Sequence, residues 1–178
     1  MEGFLNPNEV LNQLKLLGEM IAADFGSGSG GWAIPLAKIL EEGKVYAIDI
    51  LEEPLSALRA KAKLGKIFNI EIIRADIEKG AKLLKESCDL VLMTNLLFQC
   101  EDKKMVLEEG RRILKPGGKI LVVDWTPTLP PPSQPLVGPL PAQRVSPEDI
   151  KKIAEELDLK VEKEFEAGAY HYGLIFTK

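Results

Sequence analysis

Cysteine, histidine and aromatic residues are scarce in this 178-residue chain. Its thiols and imidazoles come to two cysteines, Cys88 and Cys100, and one histidine, His171. Two thiols without ligand spacing exclude a disulfide framework and a zinc or iron–sulfur set. They predict reduced cysteines, no metal and a cytoplasmic setting. No apolar run approaches the roughly 18–20 residues of a membrane span. The N-terminal stretch carries acids early, with no basic region ahead of an apolar one, so neither a membrane segment nor a secretory leader is expected. Excess positive charge is missing too. The net charge is −4, which argues against sequence-independent binding of nucleic acid, because that rests on neutralising phosphates. Lys61, Lys63 and Lys66 form one local basic group, and Arg111, Arg112 and Lys115 another. Both read as solvated helix faces and helix C-terminal charges.

What is present is a regular alternation of elements within one domain, 1–178. Asn6-Pro7-Asn8-Glu9 supplies a cap, a proline at the first helical position and an acid three residues after the cap, so a helix is expected over 6–17. Strands are expected at Met20–Phe25, Lys44–Ile50, Ile70–Ala75, Asp89–Thr94 and Lys119–Trp125. Helices are expected at Trp32–Glu42, Glu53–Lys63, Glu78–Glu86 and Asp102–Leu114. Lys115-Pro116-Gly117-Gly118 reads as a turn. Apolar strands alternating with amphipathic helices predict a parallel sheet covered on both faces. The segment 126–145 carries seven prolines, which exclude helix and central strand there. It leaves the fifth strand at the carboxyl edge, where it can roof a pocket. Ser146-Pro147-Glu148-Asp149 starts another helix. Lys160–Glu166 and Tyr170–Thr177 are joined by three residues only, which forces an antiparallel hairpin.

Asp24-x-Gly26-x-Gly28-x-Gly30 lies between the first strand and its helix. Glycines there let the turn tighten and bring backbone close to a ligand. Asp49 ends the second strand, where a carboxylate can accept from both hydroxyls of a ribose. Asp76 ends the third strand and Asn95 the fourth. All four groups fall on the carboxyl edge of a parallel sheet, where open α/β folds bind ligands. Each has a plainer reading: a tight turn for the glycines, a strand-ending turn for Asp49 and Asn95, a helix cap for Asp76.

AADFGSGSG, VYAIDI, IIRADI, DLVLMTN and LKPGGKILVVDW, in that order and spacing, resemble the class I S-adenosylmethionine-dependent methyltransferases. Among them the chain looks most like compact members of the ubiquinone/menaquinone type. The resemblance implies a Rossmann-like α/β/α sandwich with a mostly parallel seven-stranded sheet and an antiparallel C-terminal hairpin strand. It also implies S-adenosylmethionine as cofactor, S-adenosylhomocysteine as product, and transfer by in-line displacement. By resemblance Gly26, Ser27 and Gly28 would pass under the methionine part and Asp24 would reach its amino group. Asp49 and Ile50 would hold the ribose, Asp76 and Ile77 the adenine, and Asn95 would lie near the sulfonium. Ser27 stands where the family usually has another small residue.

Gly26-x-Gly28-x-x-Gly31 and Asp49 also satisfy the fingerprint of an NAD-dependent oxidoreductase. A pyrophosphate dianion would sit badly beside Asp24, however, whereas a sulfonium and an ammonium suit a carboxylate there. A cofactor-binding protein without catalysis is a third reading. On the acceptor side, the hairpin brings Tyr170, His171 and Tyr172 to the same edge as Asp124 and Trp125. His171 is the first candidate proton acceptor, Asp124 the second, and Tyr170 a stacking surface. The acceptor is unidentified, with a small molecule or protein favoured over nucleic acid. No membrane partner is expected, and the chain is expected to be a monomer or homodimer.

Overall fold

The computed structural model describes residues 5–127 and 137–178. Seven strands form one sheet: β1 (Ile21–Phe25), β2 (Lys44–Asp49), β3 (Ile70–Arg74), β4 (Cys88–Thr94), β5 (Leu114–Trp125), β6 (Lys160–Glu166) and β7 (His171–Thr177). Their order is β3-β2-β1-β4-β5-β7-β6. The first five pair in parallel, and β7 runs antiparallel to both β5 and β6. The direction of winding reverses between β1 and β4, which opens a crevice at their carboxyl ends.

Central strands are apolar throughout because helices cover both faces; in β4 only Asp89 is not fully buried. One face packs α4 (Lys103–Ile113) and α5 (Pro147–Glu156) through Val106, Leu107, Ile113, Ile150 and Ala154 onto Val91, Ile120, Val122 and Leu174. The other packs α1 (Pro7–Leu11), α2 (Ala33–Ile39) and α3 (Glu52–Leu64) onto Ala22, Val45, Leu121 and Ile175. Edge strand β6 is exposed and reads KVEKEFE, with a register shift at Val161/Lys163. Charge and irregularity on an edge discourage pairing with another chain.

Several elements are shorter than their sequence patterns predict. The helix expected over 6–17 stops at Leu11, where the Asn12 amide closes back on the carbonyls of Asn8 and Val10. The chain then turns to enter the sheet, and the Ile21 amide donates to Asp89 Oδ2 at 2.8 Å. The helix expected over Trp32–Glu42 runs only over Ala33–Ile39, because Leu40 leaves helical conformation (ψ 56°). The helix expected at Glu78–Glu86 does not form. A single 3-10 turn, Ile77–Lys79, ends at Gly80 (φ +117°), and Lys82 and Glu86 both have positive φ. The Glu109 carboxylate, accepting from the Ala81 amide at 2.6 Å, holds this irregular crossover instead. Strand β5 begins five residues early, at Leu114, and absorbs the expected turn at 115–118 as an irregularity against β4. Within the proline-rich segment a 3-10 turn spans Pro141–Gln143; the expected roof over the pocket falls largely on 128–136, outside the described residues.

Candidate functional site

Strand β1 ends in a tight reversal, and Gly26 and Gly28 take positive φ there (+68° and +53°), which costs glycine little and other residues much. A Cβ on Gly26 would sit 2.9 Å from Leu96 Cδ1, so the turn and the segment after β4 pack closely there. Ser27 is buried, its amide bonded to the Ile48 carbonyl and its hydroxyl without a partner. Asp24, one turn earlier, is wholly buried. Neither of its carboxylate oxygens makes a hydrogen bond of good geometry, the Ala33 amide lying near without meeting it. Burial pushes its pKa up to about 8; the Ala33 amide opposes this and the charge of Asp49 adds to it. An acceptor pair left so in the interior is costly, and a cationic donor placed there would relieve it.

Asp49 lies across the turn at the end of β2. Its Oδ2 accepts the Gly28 amide and its Oδ1 the Leu51 amide, both at 2.9 Å. One carboxylate therefore shapes both the glycine turn and the start of α3. Ile50 and Leu51 follow with side chains 53% and 60% exposed, an unusual place to leave two large apolar groups unless something flat covers them. Asp76 caps the 77–79 turn, accepting the Glu78 amide at 3.1 Å and Lys79 Nζ at 2.6 Å. The Lys79 hydrogen bond holds its carboxyl below the usual range. Gly26, Asp49, Ile50, Leu51, Asp76 and Ile77 line one cleft of about 290 Å³. A larger depression of about 570 Å³ lies along α4. Much of its charge is already paired, as in Arg112–Glu109 and Lys178–Glu86, and the unpartnered acceptors of Asp24, Ser27 and Asn95 are not part of its lining.

Asn95 follows β4 with φ +52°. Its amide bonds the Val123 carbonyl at 2.8 Å, while its side-chain Oδ1 is buried without a partner. Sequence reasoning missed the wall of the cleft that comes next. Leu96, Gln99 and Cys100 belong to a 3-10 turn, Leu97–Gln99, that closes over the side facing Asp76. Gln99 Nε2 donates to the Asn95 carbonyl at 2.6 Å, and burial raises the Cys100 thiol to about 11. The only signal available was position: these residues directly follow a strand end already assigned to the site.

On the acceptor side, register sets Asp124 opposite Tyr172 and Trp125 opposite His171. Side chains alternate, so Asp124 and His171 point to opposite faces of the sheet. Asp124 is fully buried, accepting from the Trp125 amide at 2.8 Å and the Phe98 amide at 3.3 Å; burial raises it to about 6. His171 stacks on Trp125, ring centroids 4.2 Å apart, with Nε2 buried and unpartnered. Burial, with the Arg144 cation adding, brings its pKa down to about 4. Tyr172 donates to the Val145 carbonyl. Tyr170 lies half-buried just before β7, and its carbonyl accepts the Thr126 amide at 2.9 Å.

Arg144, unremarked in the sequence, gathers this region. Its guanidinium donates to the carbonyls of Thr126, Val137 and Pro139 at 2.7–3.1 Å and lies over the Trp125 ring. Replacing Arg144 with glutamine is expected to cost about 1–3 kcal/mol of stability by removing its bonds to three half-buried carbonyls. It should also move the His171 titration upward, since a neighbouring cation is lost. Proton NMR of the single imidazole reads this directly; an unmoved titration would show that the two groups do not interact.

A family model described as "Methyltransferase domain" matches residues 23–122, more than half of the chain. A demethylmenaquinone methyltransferase of Lactococcus lactis is 33% identical over 109 residues, which cover 60% of this chain and 43% of that protein. A ubiquinone/menaquinone biosynthesis C-methyltransferase of Escherichia coli is 30% identical over 119 residues, covering 66% and 44%. The chain thus spans less than half the length of these curated relatives. The crystal structure of a SAM-dependent methyltransferase from Aquifex aeolicus superposes with a TM-score of 0.87 at 27% identity, covering 97% of this chain and 89% of that one.

Proposed function

The chain belongs to the methyltransferase-domain family, and from that premise we propose that it binds S-adenosylmethionine in the 290 Å³ cleft and catalyses methyl transfer to a small-molecule acceptor. The observation that carries the reading is the buried, unpartnered carboxylate of Asp24 beside the glycine turn. S-adenosylmethionine, when bound, supplies an ammonium for such a carboxylate and a methyl already activated on a sulfonium. The chain's own part is to bind, orient and exclude water. Asp24 takes the ammonium, helped by the unpartnered Asn95 Oδ1. Gly26 and Gly28 admit the methionine part to the backbone, with Ser27 Oγ a further free partner. Asp49 keeps lone pairs for the ribose hydroxyls while holding the Gly28 and Leu51 amides. Ile50, Leu51 and Ile77 offer apolar surface to the adenine, and Asp76 an acceptor for its amine.

Neither His171 nor Asp124 is assigned as the base. A buried imidazole near pKa 4 is a weak proton acceptor at neutral pH, and both oxygens of Asp124 are already used by amides. The small-molecule acceptor is supported by the quinone-type names of the relatives and by the net charge of −4. No helix among the described residues is long and apolar enough to cross a membrane.

Calorimetry tests the cofactor. S-adenosylhomocysteine is expected to bind and NAD to give no heat; tight NAD binding without a response to S-adenosylhomocysteine would favour the oxidoreductase instead. Tritiated S-adenosylmethionine added with the protein to host extract, then fractionated into small molecules, RNA and protein, tests transfer. Label in small molecules supports the acceptor class, label in protein or RNA redirects it, and no label alongside intact cofactor binding leaves a binding protein without catalysis.

A further inference from the structure

The wall of the cofactor cleft that the sequence hides is a short turn, and a three-residue 3-10 turn has little stability of its own. Its internal bonds are few: Gln99 and Cys100 amides to the Leu96 and Leu97 carbonyls, and Gln99 Nε2 to the Asn95 carbonyl. Leu97 is buried in the core, and the polar tie from the turn to the sheet is one carboxylate. Asp124 Oδ2 accepts the Phe98 amide at 3.3 Å from within the turn, and Oδ1 accepts the Trp125 amide at 2.8 Å on its own strand. Leu96, at the start of the turn, presses on Gly26 of the glycine turn. A chain of contacts therefore runs from Asp124 through the 97–99 turn to the glycine turn of the cleft.

We infer that Asp124 is a positioning residue of the cofactor cleft: as a carboxylate tied to the Phe98 and Trp125 amides, it sets the place of Leu96, Gln99 and Cys100. This rests on the cleft being the cofactor site. The geometry suits an ionised acid held by backbone donors, since a protonated or amide side chain at this position has one oxygen fewer to accept with. The groups facing Asp124 are Lys103 of α4, which favours the charge, and Cys100 and Tyr172, which it holds in their neutral forms. Its pKa of about 6 lets its charge be removed within a range where binding can be measured.

The test is Asp124→Asn in the full chain, with S-adenosylhomocysteine binding followed by calorimetry. At about pH 7.5 the variant is expected to bind at least fivefold more weakly than the parent, and by about pH 5 the gap should close, because the parent's own Asp124 is then largely protonated. A gap that stays constant with pH would mean a merely structural residue, and equal affinity at the higher pH would overturn the inference outright. If the variant does not fold, the unmodified protein still decides. Its affinity should fall by more than tenfold per pH unit in a window just below about pH 6, where Asp124 adds part of a second linked proton to the one from Asp24, since Asp24 alone gives at most tenfold. A slope no steeper than one proton would refute the role of Asp124. Failure of the unmodified protein to bind at any pH would instead refute the cofactor reading.

Discussion

Asparagine in place of Asp24 is expected to have two opposite effects: loss of cofactor binding by at least a hundredfold and a gain in stability of the unliganded protein. The first follows from removing the charged partner of a buried ion pair, roughly 3–5 kcal/mol. The second follows from linkage. Asp24 is raised from 3.8 to about 8 in the fold, so between those pH values the folded state holds a proton that the unfolded state has lost. Stability contributed by this site is present at low pH and is lost as pH rises toward 8. His171, lowered from 6.5 to about 4, acts in the opposite direction between pH 4 and 6.5, and Asp124, raised to about 6, ceases to titrate above that. From about pH 6.5 to 8 Asp24 titrates alone among the three, and the unliganded protein should lose about 2 kcal/mol across that window. The Asp24→Asn variant should lose none. Denaturant titrations at the two pH values measure it. An unchanged slope in the variant would show that Asp24 is not the group, and cofactor affinity within threefold of the parent would remove it from the site. The result also separates ligand classes, because removing a carboxylate should help, not harm, the binding of a pyrophosphate.

The architecture was legible where one pattern dominated. Buried parallel strands such as Leu90-Val91-Leu92 cannot hide their apolar runs, and the four residues between β6 and β7 leave only a hairpin. Asp24, Asp49, Asp76 and Asn95 were legible because parallel strands bring their carboxyl ends to one edge whatever the details of packing. Residues 78–86 have helical composition, but Gly80, Lys82 and Glu86 take positive φ, and the Ala81 amide bonds Glu109 of α4 in place of a helical carbonyl. Leu14 and Leu16 continue an apolar pattern beyond α1, yet they pack without a helix since the chain must drop to Asp89. Gln99, Cys100 and Arg144 were invisible for another reason: each acts on backbone carbonyls, which no pattern of residue types announces. Asp124 was found as a candidate base, but its two amide bonds, on which the proposed positioning role rests, could not be read from the chain.

Asp49 raises a related problem, since it is engaged twice by its own backbone before any ligand arrives. Asp49→Ala should weaken S-adenosylhomocysteine binding by about 2–3 kcal/mol, the scale for losing charge-assisted hydrogen bonds and leaving donors unmet. That loss alone does not say whether Asp49 grips the ribose or only shapes the glycine turn, because alanine removes both functions. A cycle with a ligand lacking the ribose hydroxyls separates them. If the carboxylate holds the ribose, the parent should discriminate against 2′,3′-dideoxy-S-adenosylhomocysteine by roughly tenfold or more, and the alanine variant should bind the two ligands alike. If Asp49 only organises the turn, both proteins will show the same preference between ligands, and the whole loss in the variant will fall on the Gly28 and Leu51 amides. Equal discrimination in parent and variant would therefore take the ribose away from Asp49 while leaving its hold on the glycine turn intact.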